Sequence, residues 1–270
     1  MTISILGCGW LGLPLGEQLA KDGHTVKGST TTPAKLDTIR AAGIQPFLIK
    51  VEEDLIGNRL SEFFTTDLLI LNIPPGRRDP EVEEKHPRQI RAVVEWLVAG
   101  EVPRLLFVSS TGVYPNVNRV VTEADDTEPE RASTAALVVA ENYLQLQNAF
   151  TTTILRLAGL VGGERKAGRF LAGKTNVPNG DAPINLVHRD DCINVIREVI
   201  RKEKWGKIYN VCADEHPTRK EFYVAQAFKE QFTPPTFRTD EETVDYKIIS
   251  NQKVKTELGY SFLHPDPLQF

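Results

Sequence analysis

Residues 7–12 read Gly-Cys-Gly-Trp-Leu-Gly and stand directly between a short apolar run, 2–6, and an amphipathic stretch, 13–22. That setting gives the three glycines separate tasks. Gly7 permits a tight turn, Gly9 lets main chain approach a pyrophosphate, and Gly12 lets a helix pack closely on the preceding strand. Exposed N–H groups and the helix dipole at such a start favour phosphate oxygens. An ordinary strand–helix turn would also tolerate three glycines, but the position, spacing and flanks favour the dinucleotide reading. Gly7, Gly9, Trp10, Leu11 and Gly12 are therefore the phosphate-side candidates.

A strand–turn–helix opening predicts more of the same, and the chain supplies it. Strands are predicted at 2–6, 24–29, 46–49, 67–73, 104–108 and 153–157, and helices at 13–22, 33–42, 81–99 and 132–150. In the 81–99 helix Ile90, Val93, Val94, Leu97 and Val98 recur at helical spacing. In the 132–150 helix the candidate core positions are Leu137, Val138, Leu144 and Leu146. Alternation of this kind predicts an α/β fold, a Rossmann-type doubly wound parallel sheet with helices on both faces. From Ala158 onward Gly159, Gly162, Gly163, Gly168, Gly173, Pro178, Gly180 and Pro183 crowd together and loops dominate. A helix at 190–202, a strand at 207–211 and a helix at 218–232 follow. The expected organisation is a dinucleotide-binding domain over 1–157. A small substrate lobe over 158–270 would return some elements to the main sheet.

Which dinucleotide binds depends on the end of the second strand. NAD-selective sites place Asp or Glu there to hold the ribose 2′-hydroxyl. Here Val26-Lys27-Gly28-Ser29-Thr30-Thr31-Thr32 carries no carboxylate, and the first one downstream is Asp37. Hydroxyls at Ser29, Thr30 and Thr31 suit a 2′-phosphate, with Lys35 or Arg40 adding charge, so NADP is favoured over NAD. Lys35 and Arg40 read equally as solvated helix residues. Net charge is -4 over 270 residues, which argues against nucleic-acid or membrane-surface partners. Cys8, Cys192 and Cys212 form no CxxC pair, so neither a disulfide framework nor a zinc site is expected, and buried thiols in a reducing compartment are. No signal peptide and no membrane-spanning apolar run is visible, and a cytoplasmic location is expected.

Four further segments carry a resemblance. They are Leu106-Phe107-Val108-Ser109-Ser110-Thr111-Gly112-Val113-Tyr114-Pro115, Leu155-Arg156-Leu157-Ala158-Gly159-Leu160-Val161-Gly162, Asn185-Leu186-Val187-His188-Arg189-Asp190-Asp191, and Ile208-Tyr209-Asn210-Val211 before a Pro217-Thr218 helix start. In order and spacing they resemble the extended short-chain dehydrogenase/reductase family, in its NAD-dependent epimerase/dehydratase group, over nearly the whole chain. The resemblance implies that Ser110 is the catalytic hydroxyl and that Tyr114 is generally a packing residue. It also implies a Tyr-x-x-x-Lys pair on the next helix, whose Tyr moves a proton and whose Lys lowers the Tyr pKa. Alignment on Ala140-Glu141 puts Ser133 and Leu137 at those two positions. Leu neither donates a proton nor holds a charge, and Ser is too weak an acid to replace an assisted Tyr. The turn also departs, being GxGxxG rather than GxxGxxG. An atypical subgroup with an intact cofactor turn and an incomplete catalytic set is the expectation.

The catalytic candidates are Ser110, Thr111 and Tyr114, the last as a secondary acid. Ser109 is placed beside the cofactor. Asn72 and Pro74, ending a strand, either pass the cofactor ribose or form a rigid proline turn. Glu164-Arg165-Lys166-Ala167-Gly168-Arg169 either binds a sugar-like or anionic small molecule or is a solvated loop. Arg77-Arg78-Asp79 either reaches a phosphate of the cofactor or substrate or, the favoured reading, is a solvated loop. His188 reads as structural, for want of an orienting partner; His86, His216 and His264 are given no role. Two functions remain: an NAD(P)-dependent oxidoreductase or epimerase with a rearranged acid–base set, and a non-catalytic dinucleotide sensor or scaffold. A homodimer through the two long helices is what the resemblance implies.

Overall fold

Strand and helix alternate along the first two-thirds of the chain as the apolar pattern predicts. The computed structural model describes residues 1–76, 79–239 and 245–270. Its elements are β1 (Thr2–Leu6), α1 (Gly12–Lys21), β2 (Thr25–Thr30), α2 (Leu36–Ala41), β3 (Gln45–Val51), β4 (Leu55–Gly57), α3 (Leu60–Phe64), β5 (Leu68–Leu71), α4 (Val82–Ala99) and β6 (Arg104–Ser110). There follow β7 (Val120–Val121), α5 (Ala132–Gln145), β8 (Thr151–Leu157), β9 (Gly159–Val161), β10 (Leu186–His188), α6 (Arg189–Arg201), β11 (Ile208–Val211), α7 (Arg219–Lys229), β12 (Ile248–Ile249) and α8 (Gln252–Leu258).

The main sheet has strand order β11-β8-β6-β5-β1-β2-β3-β4. β1 pairs in parallel with β2 on one side, Ile3 opposite Val26, and with β5 on the other, Ile5 opposite Ile70. Strands built of Ile, Leu and Val, buried on both faces, read as unbroken apolar runs, as LLIL in β5 does. Strand order reverses between β1 and β5. In doubly wound sheets ligands bind outside the strand carboxyl ends at such a switch point. β4 departs from the parallel rule, running antiparallel to β3 at the sheet edge.

Two compact units divide the chain, each discontinuous. The first is Met1–Val113, Thr127–Arg156 and Val199–Ile208; the second is Tyr114–Asp126, Leu157–Glu198 and Tyr209–Phe270. In the first, Ile90, Val93, Val94 and Leu97 of α4 are buried, whereas Val98 is exposed. Leu137 and Leu144 of α5 are buried too, but Leu146, expected in the core, is solvent-exposed. The reason is that α5 stops at Gln145, five residues short of the expected end, and Thr152 Oγ1 donates to the Leu144 carbonyl.

The second unit carries two small parallel pairs, β9 with β10 and β7 with β12. A core of Val161, Ala167, Leu186 and Phe222 lies beneath them, with Ile184, Tyr223 and Phe270 packed against it. α7 opens on a reciprocal cap. Thr218 Oγ1 accepts from Glu221 N, and the Glu221 carboxylate accepts from Thr218 N.

Candidate functional site

β1 delivers Gly7 to the switch point with φ +111°, a left-handed value that L side chains avoid. The turn is fixed by main chain and by two side chains. Cys8 N donates to the Ser29 carbonyl at 2.8 Å, Gly7 N donates to Ser29 Oγ at 2.9 Å, and Asn72 Nδ2 donates to the Gly7 carbonyl at 3.0 Å. Asn72 follows β5, so this last bond ties the two strands that flank the switch point. A Cβ on Gly12 would lie 2.2 Å from the Gly7 carbonyl oxygen, so close helix–strand packing excludes any side chain there.

Gly9 differs from both. It is exposed, and a Cβ built on it meets nothing of the protein within 4 Å. α1 then begins without a side-chain cap at Leu11. Leu13 N donates to the Gly9 carbonyl, Pro14 has no N–H and Leu15 N donates to the Leu11 carbonyl, so the helix start at Gly12 is the part that an outside acceptor such as a phosphate oxygen suits. Trp10 is partly buried, and Leu11 is buried in the core beneath the turn. Cys8 packs against Gly28, and burial pushes its thiol up to about 12, so it stays protonated and unreactive.

At the end of β2 the three hydroxyls separate. Ser29 is buried and braces the turn, as above. Thr30 Oγ1 accepts from Thr32 N at 3.1 Å. Thr31 is exposed, as is Lys35 in the short 3₁₀ turn Pro33–Lys35. Arg40 is paired with Asp37, so the first carboxylate after β2 is already matched by a cation of its own helix. Pro74 is exposed beyond Asn72; Arg77 and Arg78 lie outside the described residues.

β6 extends two residues further than expected and carries Ser109 and Ser110 at its carboxyl end. Ser110 Oγ accepts from Gly112 N at 3.1 Å, shaping the short helical turn Thr111–Val113, in which Thr111 is buried. Ser109 has a different role. Its hydroxyl donates to Glu141 Oε1 at 2.5 Å, and Arg156 Nη2 donates to Glu141 Oε2 at 2.6 Å. Ser109, Glu141 and Arg156 are all buried, and they join β6, α5 and β8. The motif search singled out neither Glu141 nor Arg156. One clue was present: Arg156 is a cation inside an otherwise apolar strand, where burial demands a partner. Counting back from Glu141 on α5, Leu137 lies one turn earlier and Ser133 two turns earlier; Leu137 is buried and Ser133 half-buried.

Tyr114 belongs to the second unit and is fully buried. Its hydroxyl donates to Asn210 Oδ1 at 2.9 Å, and its carbonyl accepts from Lys247 Nζ. The hydroxyl is thus bonded inside the second unit. Arg165, Lys166 and Arg169 surround the 3₁₀ turn Ala167–Phe170, whose Gly168 N donates to Glu230 at 3.0 Å. Cys192 and Cys212, like Cys8, are buried. No described helix is long and apolar enough to cross a membrane.

Comparison with known proteins agrees with the turn. Residues 7–203 match a family model described as NAD(P)H-binding. Protein YeeZ of Escherichia coli (strain K12) is 37% identical over 268 residues, 98% of this chain and 97% of that one. Among solved structures, a functionally unknown conserved protein from Silicibacter pomeroyi DSS superposes with TM-score 0.81 at 22% identity, covering 99% of this chain and 95% of that one. A UDP-glucuronic acid 4-epimerase from Bacillus cereus in complex with NAD superposes with TM-score 0.82 at 17% identity, over 100% and 96% of the two chains. A UDP-glucose 4-epimerase with UDP-glucose from Thermotoga maritima gives 0.79 at 16% identity, over 97% and 94%. The chain belongs to the NAD(P)H-binding family and folds as the epimerases of the short-chain dehydrogenase/reductase type do.

Proposed function

We propose that the chain is an NADP-preferring oxidoreductase or epimerase acting on a sugar-like or anionic small molecule, with a reduced acid–base set. The observation that carries this reading is Gly9: exposed, unobstructed, and set between two glycines that the fold itself requires. In this reading the Gly9 amide stays bonded to the Gly7 carbonyl, and the amides of Trp10, Leu11 and Gly12 receive the pyrophosphate over the open face of Gly9. Thr30, Thr31 and Lys35 receive the 2′-phosphate, and Asn72, Pro74 and Ser109 border the nicotinamide half. A bound nicotinamide supplies hydride transfer. Ser110 and Thr111 then offer hydrogen bonds to a substrate oxygen, and Ser109, held by Glu141, fixes the end of β6 that presents them. The neighbours' sugar-nucleotide complexes support a sugar-like or anionic substrate. Exposed Val98 and Val139 on α4 and α5 support pairing of two copies through those helices.

One observation favours the second reading, a dinucleotide-binding sensor. Leu137 is buried where a conventional member carries the lysine that assists the acid. Calorimetric titration with NADPH and NADH tests the cofactor assignment, which requires saturable heat with the tighter fit for NADPH. Absence of heat for both at millimolar ligand overturns it. A screen of NADPH oxidation against sugar nucleotides and small carbonyls then separates enzyme from sensor.

A further inference from the structure

Two histidines distant in sequence meet in the second unit. His188 closes β10 and His264 lies beyond α8; their ring centroids are 3.9 Å apart at 40°. Phe270 stands edge-on to both, at 5.6 and 6.1 Å. Asp190, in the first turn of α6, holds Oδ2 3.7 Å from His188 Nδ1. One ligand atom each from His188, Asp190 and His264 lies within 4.8 Å of the other two. His188 has no partner near it in sequence beyond Asp190, and the fold adds His264.

The two histidines are anchored, one through its ring and the other through its backbone. A Cβ on Gly162 would fall 2.3 Å from His188 Nε2, so that end of the ring packs on glycine main chain, and Nδ1 is the end turned to Asp190. The backbone bearing His264 is fastened by the neighbouring carboxylate. Asp191, fully buried, accepts from Tyr260 Oη at 2.6 Å, Leu263 N at 2.7 Å and His264 N at 3.0 Å. The other Asp190 oxygen faces Arg189 Nε at 3.8 Å, and Arg189 is in turn balanced by Glu164 at 3.5 Å.

We propose that His188, Asp190 and His264 form a binding site for a late first-row divalent cation, with Zn²⁺ as the reference ion. Two imidazoles and one carboxylate are the donor set such ions take, and three protein ligands leave a coordination position open. Metal–ligand bonds of about 2.0–2.2 Å place tetrahedral donors about 3.3–3.5 Å apart. The present 4.8 Å envelope therefore has to contract by about 1.3–1.5 Å. Asp190 permits this, since its side chain is 49% exposed and free to change rotamer, while His188 at 13% is the fixed corner. The main competing contact at His188 Nδ1 is a 3.3 Å bond from Asp190 N, which a metal bond outweighs. A bound cation would clamp the segment 260–270 to the junction of β10 and α6.

Untagged full-length protein, stripped with a chelator, provides the test. Titration with Co²⁺ followed by visible absorption should give one saturable d–d band that Zn²⁺ displaces. Asp190→Asn and His264→Gln should each weaken Zn²⁺ binding at least tenfold by calorimetry, and Zn²⁺ should slow amide exchange across 260–270 in the parent protein. Should His264→Gln misfold, Asp190→Asn decides alone, because it leaves the buried Asp191 fastening intact. No saturable cobalt band, or Zn²⁺ affinity unchanged in the folded variants, overturns the site.

Discussion

The glycine turn and the serine segment both occupy carboxyl ends of parallel strands in the first unit, yet they have kept different things. In the turn, every residue type suits both fold and ligand: Gly7 for its dihedral, Gly12 for packing, and Gly9 for space that the protein leaves unfilled. In the serine segment the side chains are spent on one another. Ser109, Glu141 and Arg156 lock β6, α5 and β8 together, while Ser133 and Leu137 lie two turns and one turn before Glu141 on α5, where the proposed reading puts a reduced acid–base set. One stretch of sheet edge leaves space open and the other fills it with its own bonds.

The strongest way to break that comparison is to remove the scaffold. Arg156→Met strands the Glu141 carboxylate in the interior, and losing one partner of a buried pair costs about 3–5 kcal/mol. Urea denaturation should show that loss; a change under about 1 kcal/mol, the range of exposed pairs, would mean the pair does not hold the segment. Next in size is restoration. Ser133→Tyr combined with Leu137→Lys should raise NADPH-linked carbonyl turnover by about a hundredfold, the lower end of general acid catalysis. If the parent already turns over and the double variant gains nothing, the sensor reading fails.

Smaller effects sharpen the contrast within the turn itself. Gly9→Ala should leave the denaturation midpoint unchanged and weaken NADPH at least tenfold, about 1.4 kcal/mol. Gly12→Ala should lower both, because its Cβ meets the Gly7 carbonyl at 2.2 Å. Equal NADPH affinity in Gly9→Ala and the parent would show that the open space above Gly9 is not where the phosphates go. Smallest is Lys35→Ala, which should cut the NADPH-over-NADH preference by about three- to fivefold, within the ~1 kcal/mol reach of an exposed charge. Competitive titration of the two cofactors reads that ratio directly.

Legibility followed the length of the physical signal. Apolar runs between turn residues predict β1, β5, β6 and β8, and helical spacing predicts α4. The elements not foreseen are short or depend on distant partners. β4 has three residues, and β12 has two, pairing with β7 from well over a hundred positions away. α8 left a trace: Val254 and Leu258, both buried, one turn apart and followed by Gly259 in the left-handed conformation. Around the site, the glycines were readable because their constraint is local. Glu141, Asp191 and the meeting of His188 with His264 were not, because each acts through tertiary contacts that no window of sequence contains.

The Glu141 anchor has a consequence for how such a protein changes over time. Pinned by Arg156 and Ser109, α5 cannot rotate about its axis, so positions 133 and 137 keep their bearing whatever side chains they carry. On the proposed reading, two codon changes there would alter reactivity without redesigning the platform that receives it.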